Sequence, residues 1–219
     1  MNIDLHVHTF YSDGVLSPTE VVKVAKKAGL SGIAICDHNT CKGHLALSRR
    51  SYKDFIVIPG IEVSTSKGHL IGLGVTQTFR SDKDPMQTAE EMTDAGGLVV
   101  LPHPGKVPSG IPIKDLEDLE FTAVEVINGR STASVNAGAL EIAKRRNKAQ
   151  VGGSDGHNAK QIGVAFTTFA GSSLGLDEIL EDIRKKRTKA GGTGTTVLGY
   201  LEDNARIFTR FAGRGFKKV

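Results

Sequence analysis

Short, nearly continuous β-branched runs recur along this chain, and they limit what it can fold into more than any other feature. They fall at 3–9 (IDLHVHT), 32–38 (GIAICDH), 55–65 (FIVIPGIEVST), 69–75 (HLIGLGV), 97–104 (GLVVLPHP), 123–129 (AVEVING), 149–157 (AQVGGSDGH) and 164–170 (VAFTTFA). Runs of this kind suit strands buried on both faces, as in parallel sheets. Helical patterns with readable starts lie between many of them. Ser17-Pro18-Thr19-Glu20 offers an N-cap, a proline at the first helical position and a capping-box glutamate, and Gly29 closes the helix that follows. Asp84-Pro85-Met86-Gln87 repeats that arrangement, with Gly96-Gly97 as its stop. Further helices are expected at 113–119, 132–147, 175–187 and 200–212. Strands alternating with helices predict an α/β fold around a parallel sheet, either open or closed into a barrel, and periodicity does not choose between the two.

A chain of 219 residues is long enough to bury a core without disulfides, and without a linker or internal repeat it reads as one domain over 1–219. Hydrophobic residues at 39% and charged residues at 24% exclude a disordered or fibrous chain. Cys36 and Cys41 are too few for a disulfide framework and are not spaced as a C-x-x-C motif, which fits a reducing cytoplasm. No run approaches the roughly 18 apolar residues of a membrane span, and the N-terminus lacks the pattern of an export signal. The net charge is +4, with basic residues gathered at 184–189 and in Arg206, Arg210, Arg214, Lys217 and Lys218. They read as a solvated helix face and tail, with an anionic ligand as the alternative.

The histidines carry the chemistry. His6, His8, His38, His103 and His157 lie at or near the C-terminal ends of the expected strands, and His69 opens one. In α/β sheets and barrels the ligand site lies beyond those ends. Side chains at i and i+2 of a strand share a face, so His6 pairs with His8 and Asp155 with His157. Asp37 and His38 are adjacent and face opposite ways, which leaves Asp37 as a partner that orients an imidazole rather than a ligand. Glu62 adds a carboxylate at a strand end and Asp13 another in a loop closed by Gly14. Each feature alone has an ordinary structural reading as turn residue, ion pair or packed imidazole. Together, six histidines and three carboxylates are too many for one tetrahedral zinc, and they suit two or three Zn, Mn or Fe ions with bridging oxygens.

Taken in order, DLHVHTFYSDG (4–14), CDH (36–38), GIEVST (60–65), the histidine opening HLIGLG (69–74), His103-Pro104 and GSDGH (153–157) resemble the signature segments of the PHP (polymerase and histidinol phosphatase) metal-dependent phosphoesterases. The resemblance implies a distorted (β/α)7 barrel, compact and single-domain, with a trinuclear site at its strand ends. It assigns His6, His8, Glu62 and Asp155 to a first ion. Glu62 bridges to a second ion with His69 and His103, and Asp13, His38 and His157 hold a third. It further implies hydrolysis of a phosphate ester by metal-bound hydroxide between the first two ions. His44 matches no motif and is expected as an exposed helix residue.

Basic residues near the strand ends, Lys106 and above all Arg130, are candidates to grip the substrate, since guanidinium binds phosphate bidentately. The glycine-rich stretch 191–196 does not match a P-loop and reads as a flexible loop. The favoured substrate is a small phosphomonoester or a nucleotide. A nuclease is the alternative, disfavoured because aromatics are only 5% with no tryptophan to stack bases. A non-catalytic, metal-stabilised accessory module is the third reading.

Overall fold

The computed structural model describes residues 1–171, 175–199 and 201. Apart from residue 201, the expected helix at 200–212 lies outside the described residues, as do the basic residues from Arg206 onward. The strands are β1 (Asn2–Val7), β2 (Gly32–Ile35), β3 (Ile56–Thr65), β4 (Gly68–Leu73), β5 (Leu98–Leu101), β6 (Ala123–Asn128), β7 (Ala149–Gly153), β8 (Ala165–Phe169) and β9 (Thr188–Gly192). They form one sheet in the order β7-β6-β5-β4-β3-β2-β1-β8-β9. The helices are α1 (Pro18–Lys27), α2 (Lys42–Leu45), α3 (Pro85–Asp94), α4 (Ala133–Arg145) and α5 (Leu176–Arg184).

The strands β1 to β3 pair in parallel, as do β5 to β7. A purely parallel sheet is not what forms, because β4 runs antiparallel to both β3 and β5, and β8 and β9 are antiparallel additions beside β1. The short turn between Thr65 and Gly68 permits only a hairpin, whereas a parallel connection needs a dozen residues or more. The ring nearly closes where β7 meets β1. Beyond β7, Gly156 pairs with Val7, and His8 N donates to Gly156 O at 2.9 Å. Asp4, wholly buried, accepts from Ser154 N at 2.8 Å and Gly163 N at 2.9 Å, so β1 is tied to the segment that carries Asp155 and His157. Burial pushes the Asp4 carboxyl up to about 6, even against these hydrogen bonds. At Gly153 a β-carbon would stand 2.5 Å from that of His6, so only glycine lets the two strands come this close.

Alternation separates the interior of the ring from its wall. Ala34, Ile58, Ile71, Val100, Ala123 and Val151 belong to one buried cluster, closed by Ile179, Leu180 and Ile183 of α5. The opposite faces pack on helices, Ile33 and Ile35 against α1, and Val99, Val124 and Val126 among residues of α3 and α4. On the interior face, Glu62 stands four residues beyond Ile58, and Glu125 two beyond Ala123.

The capping signals act as written. Ser17 and Glu20 form a reciprocal capping box with Pro18 at the helix start, and Asp84 accepts from Met86 N at 2.9 Å. Gly29 and Gly96 follow α1 and α3 with φ of 78° and 81°, the left-handed conformation that ends a helix. Two expectations are corrected. The helix at 113–119 is a single 3₁₀ turn at Ile113–Asp115. The stretch 191–196 is not a free loop: Gly191 and Gly192 belong to β9, and Thr195 bridges Thr132.

Candidate metal centre

The ends of β1, β2, β5 and β7, the middle of β3 and the start of β4 deliver nine side chains to one place: His6, His8, Asp13, His38, Glu62, His69, His103, Asp155 and His157. Because β4 is antiparallel, its first residues lie beside the far end of β3, which explains how a histidine opening a strand arrives with histidines ending others. Glu62 is the hub. Its Oε1 lies 2.9 Å from His69 Nδ1 and 3.1 Å from His103 Nε2, and its Oε2 lies 3.2 Å from both His6 Nε2 and His8 Nε2. It is not at the end of β3, as expected, since the hairpin prolongs that strand to Thr65. His103 (φ 31°) and Asp155 (φ 54°) adopt left-handed backbone, a conformation that is costly for them and that recurs at functional sites.

Ligand-type atoms within 4.8 Å of one another form four groups among the described residues: His8, Asp13, His38 and His157; His6, Glu62 and His103; His6, His8 and Asp155; and His38, Glu62 and His69. The expected trio of Asp13, His38 and His157 falls together with His8 as a fourth member, and Asp13 Oδ2 is 2.8 Å from His157 Nε2. His69 and His103 meet at the same oxygen of Glu62 but belong to different groups, so Glu62 stands between two compact sets. Donor chemistry fits divalent cations. The two Nε2 atoms of His6 and His8 face each other at 3.1 Å, and the buried Nδ1 atoms of His8, His38 and His103 have no hydrogen-bond partner among the described residues. Buried nitrogens left this way are costly unless something binds their lone pairs. Imidazole and carboxylate together suit zinc, manganese or iron.

Several supporting residues were not foreseen from the sequence. Glu125 Oε1 lies 3.0 Å from His6 Nδ1, and its Oε2 accepts from His103 N at 3.2 Å and from Asn128 Nδ2 at 2.9 Å. With Nδ1–H donated to Glu125, the Nε2 lone pair of His6 is left facing the cluster. A glutamate in the middle of an apolar strand was the available signal. The role expected of Asp37 is corrected: it accepts from Thr9 N (2.7 Å), Thr9 Oγ1 (2.7 Å) and Ser12 Oγ (2.9 Å), so it holds the loop that presents Asp13 rather than an imidazole. His44 does lie on α2, but it is buried, not exposed, and it belongs to none of the four groups.

Lys106 and Arg130 both turn inward. Lys106 is buried, with Nζ 2.8 Å from Asp155 Oδ2, and Arg130 NH1 lies 3.4 Å from Asp155 Oδ1 and 3.2 Å from His157 Nδ1. Burial alone would raise the Asp155 carboxyl, but these two cations and His6 hold it well below the usual carboxylate range.

Replacing Glu125 by glutamine keeps its shape and removes the charge behind His6. Metal affinity is expected to fall by about 10- to 100-fold, the usual effect of losing a residue that orients a ligand. Titrating the stripped variant with Zn or Mn, and finding wild-type affinity, would refute that role.

Comparison with known proteins fits this geometry. The PHP domain pattern matches residues 4–103, and the PHP-associated pattern matches 133–188. A Methanocaldococcus jannaschii protein of unassigned activity is 35% identical over 141 residues, which cover 58% of this chain and 82% of that one. The chain belongs to the PHP domain family. Over shorter stretches it is similar to a 3',5'-nucleoside bisphosphate phosphatase of Chromobacterium violaceum, 40% identical over 34% of this chain. It is likewise similar to a 5'-3' exoribonuclease of Haemophilus influenzae, 41% identical over 34%. It spans only 28% and 29% of the lengths of those two enzymes. Among solved structures, a two-domain Bacteroides vulgatus protein containing a predicted PHP-like metal-dependent phosphoesterase superposes with a TM-score of 0.69 at 21% identity, over 88% of this chain and 65% of that one. That likeness establishes the shared fold. No helix among the described residues is long and apolar enough to cross a membrane.

Proposed function

We propose that this protein is a metal-dependent phosphoesterase, acting as one domain in the cytoplasm on a small phosphomonoester or nucleotide. The observation that carries the reading is a set of four cation-sized donor groups that overlap through shared residues, Glu62 in two of them and Asp155 in a third, with Lys106 and Arg130 paired to Asp155. Divalent ions, when bound, supply Lewis-acid stabilisation of phosphoryl oxygens and acidify water near the phosphorus. The nine donors named above are the residues that would hold them. Arg130 presents a planar guanidinium suited to two phosphoryl oxygens, and Lys106 a compact positive charge. Glu125 and Asn128 fix His6 and Asp155, and Asp37 keeps the Asp13 loop in place, so the protein contributes positioning and electrostatics.

The relatives named as a bisphosphate phosphatase and an exoribonuclease support phosphate esters as the substrate class, and they keep a nuclease as the second reading. The test is elemental analysis of the purified protein, then phosphate release from a panel of phosphomonoesters, nucleoside bisphosphates and short oligonucleotides with Mn or Zn supplied. Two or more ions per chain and turnover on the small esters are expected. Fewer than about two ions, with no ester hydrolysed, would sink the proposal.

A further inference from the structure

The loops that bring charged side chains to the candidate centre also carry exposed apolar ones. Ten large hydrophobic side chains are exposed among the described residues, and five of them, Phe10, Tyr11, Val15, Val107 and Ile113, stand on two loops. One loop follows β1 and carries Asp13. The other follows β5 and carries Lys106. Exposed apolar residues scattered singly need no explanation, but a set gathered on the loops that feed one polar site is the composition of a ligand-binding rim.

Phe10 and Tyr11 are the core of that rim. They are 51% and 39% exposed, and their rings pack on each other with centroids 4.7 Å apart at 38°. Their backbone is fixed: Phe10 N donates to Leu16 O at 2.9 Å, and Tyr11 N donates to Thr9 Oγ1 at 3.2 Å. Thr9 is in turn held by Asp37, and Asp13, two residues past Tyr11, touches His157. On the same loop, Val15 N donates to the carbonyl of His157 at 2.9 Å. A rigid loop therefore sends a carboxylate inward to the cation-binding donors and two aromatic faces outward beside them. Folding gains nothing from leaving two aromatic rings this exposed, whereas a flat ligand does.

We propose that Phe10 and Tyr11 form a stacking platform for a nucleobase and thereby set the specificity of the site for nucleoside phosphates. The inference rests on the phosphoesterase reading, and it specifies the half of the substrate that the donor cluster does not contact. The phosphate lies with Lys106 and Arg130, and the base lies on the rim. Stacking on aromatic side chains tolerates any base, so the platform selects nucleotides as a class and not one base.

The test compares two substrates on each variant, a nucleoside monophosphate and glycerol phosphate, which has no base. Phe10→Ala and Tyr11→Ala are each expected to lower kcat/KM for the nucleotide relative to glycerol phosphate by about 5- to 100-fold, mainly through KM. Phe10→Tyr and Tyr11→Phe retain a ring and are expected to keep the wild-type ratio. Independently, the emission of an aminopurine nucleoside phosphate is expected to be quenched on binding to the wild-type protein and not to the alanine variants. A ratio that stays within about twofold in both alanine variants overturns the platform, as does equal quenching by all forms. If glycerol phosphate is hydrolysed but the nucleotide ratio does not move, the platform falls and the phosphoesterase reading stands. If quenching depends on Phe10 and Tyr11 but no ester is cleaved, the platform stands and the catalytic reading falls.

Discussion

Replacing Glu62 by glutamine is expected to lower turnover on every phosphate ester by about 10³-fold and to remove at least one bound ion. The two oxygens of Glu62 lie 2.9 to 3.2 Å from ring nitrogens of His69, His103, His6 and His8, and His38 Nδ1 is 3.4 Å from Oε2. Burial by itself would raise this carboxyl, but His69, His38 and His6 hold it well below the usual range, so it is the anion around which the imidazoles are arranged. Glutamine matches its shape, and the change therefore tests charge and ligation rather than packing. One oxygen becomes an NH2 group, which donates where an anion accepted and cannot bind a cation. A metal contribution of several kcal/mol to the transition state corresponds to roughly three powers of ten in rate. Circular dichroism checks that the barrel persists. A variant that keeps its full metal content and more than about a tenth of wild-type turnover would show that neither metal binding nor turnover depends on Glu62.

The route from sequence to this hub was uneven, and the reasons are physical. Local chemistry was legible. Proline and capping residues fix helix starts through contacts within four residues, and i, i+2 alternation put His6 beside His8 with no knowledge of the fold. What depends on pairing between distant strands was not. His69 appeared to open a strand at the wrong end, because the direction of β4 is set by its hairpin with β3. Glu125 lies inside an apolar run with no motif to mark it, although a carboxylate there has to find a partner once the strand is buried, and it finds His6. Asp37 lies beyond the end of β2 at Ile35, where strand alternation no longer sets which way a side chain faces. Its actual partners, Thr9 and Ser12, come from a loop whose path the sequence does not display. His44 sits on a helix of four residues, too short for an apolar face to be read, so its burial is decided by tertiary packing. Apart from Thr188, the strand β9, Thr188–Gly192, is built from residues with little β-preference, and it forms because β8 offers it an edge.

Adding Mn or Zn to chelator-stripped protein is expected to raise Tm by about 5 to 15 °C. Ligand at 100 to 1,000 times its Kd contributes about 2.7 to 4.1 kcal/mol, and a domain of this size gains about 2 to 4 °C per kcal/mol. The structural reason is where the donors come from. Asp13, Glu62 and Asp155 stand on segments far apart in sequence, and β1 meets the end of β7 through only a short bridge at Gly156. An ion that takes donors from β1, β3 and the end of β7 binds only the folded ring and so opposes its opening there. Glu62→Gln is expected to diminish the rise, while Glu125→Gln should shift the concentration at which it occurs. A Tm indifferent to millimolar Mn and Zn would mean that the donors do not hold ions at all, and it would remove the basis of the catalytic reading. A full rise without hydrolysis of any ester would instead leave the centre as a structural clamp on the barrel. Stability measured against metal thus separates binding from chemistry before any substrate is known.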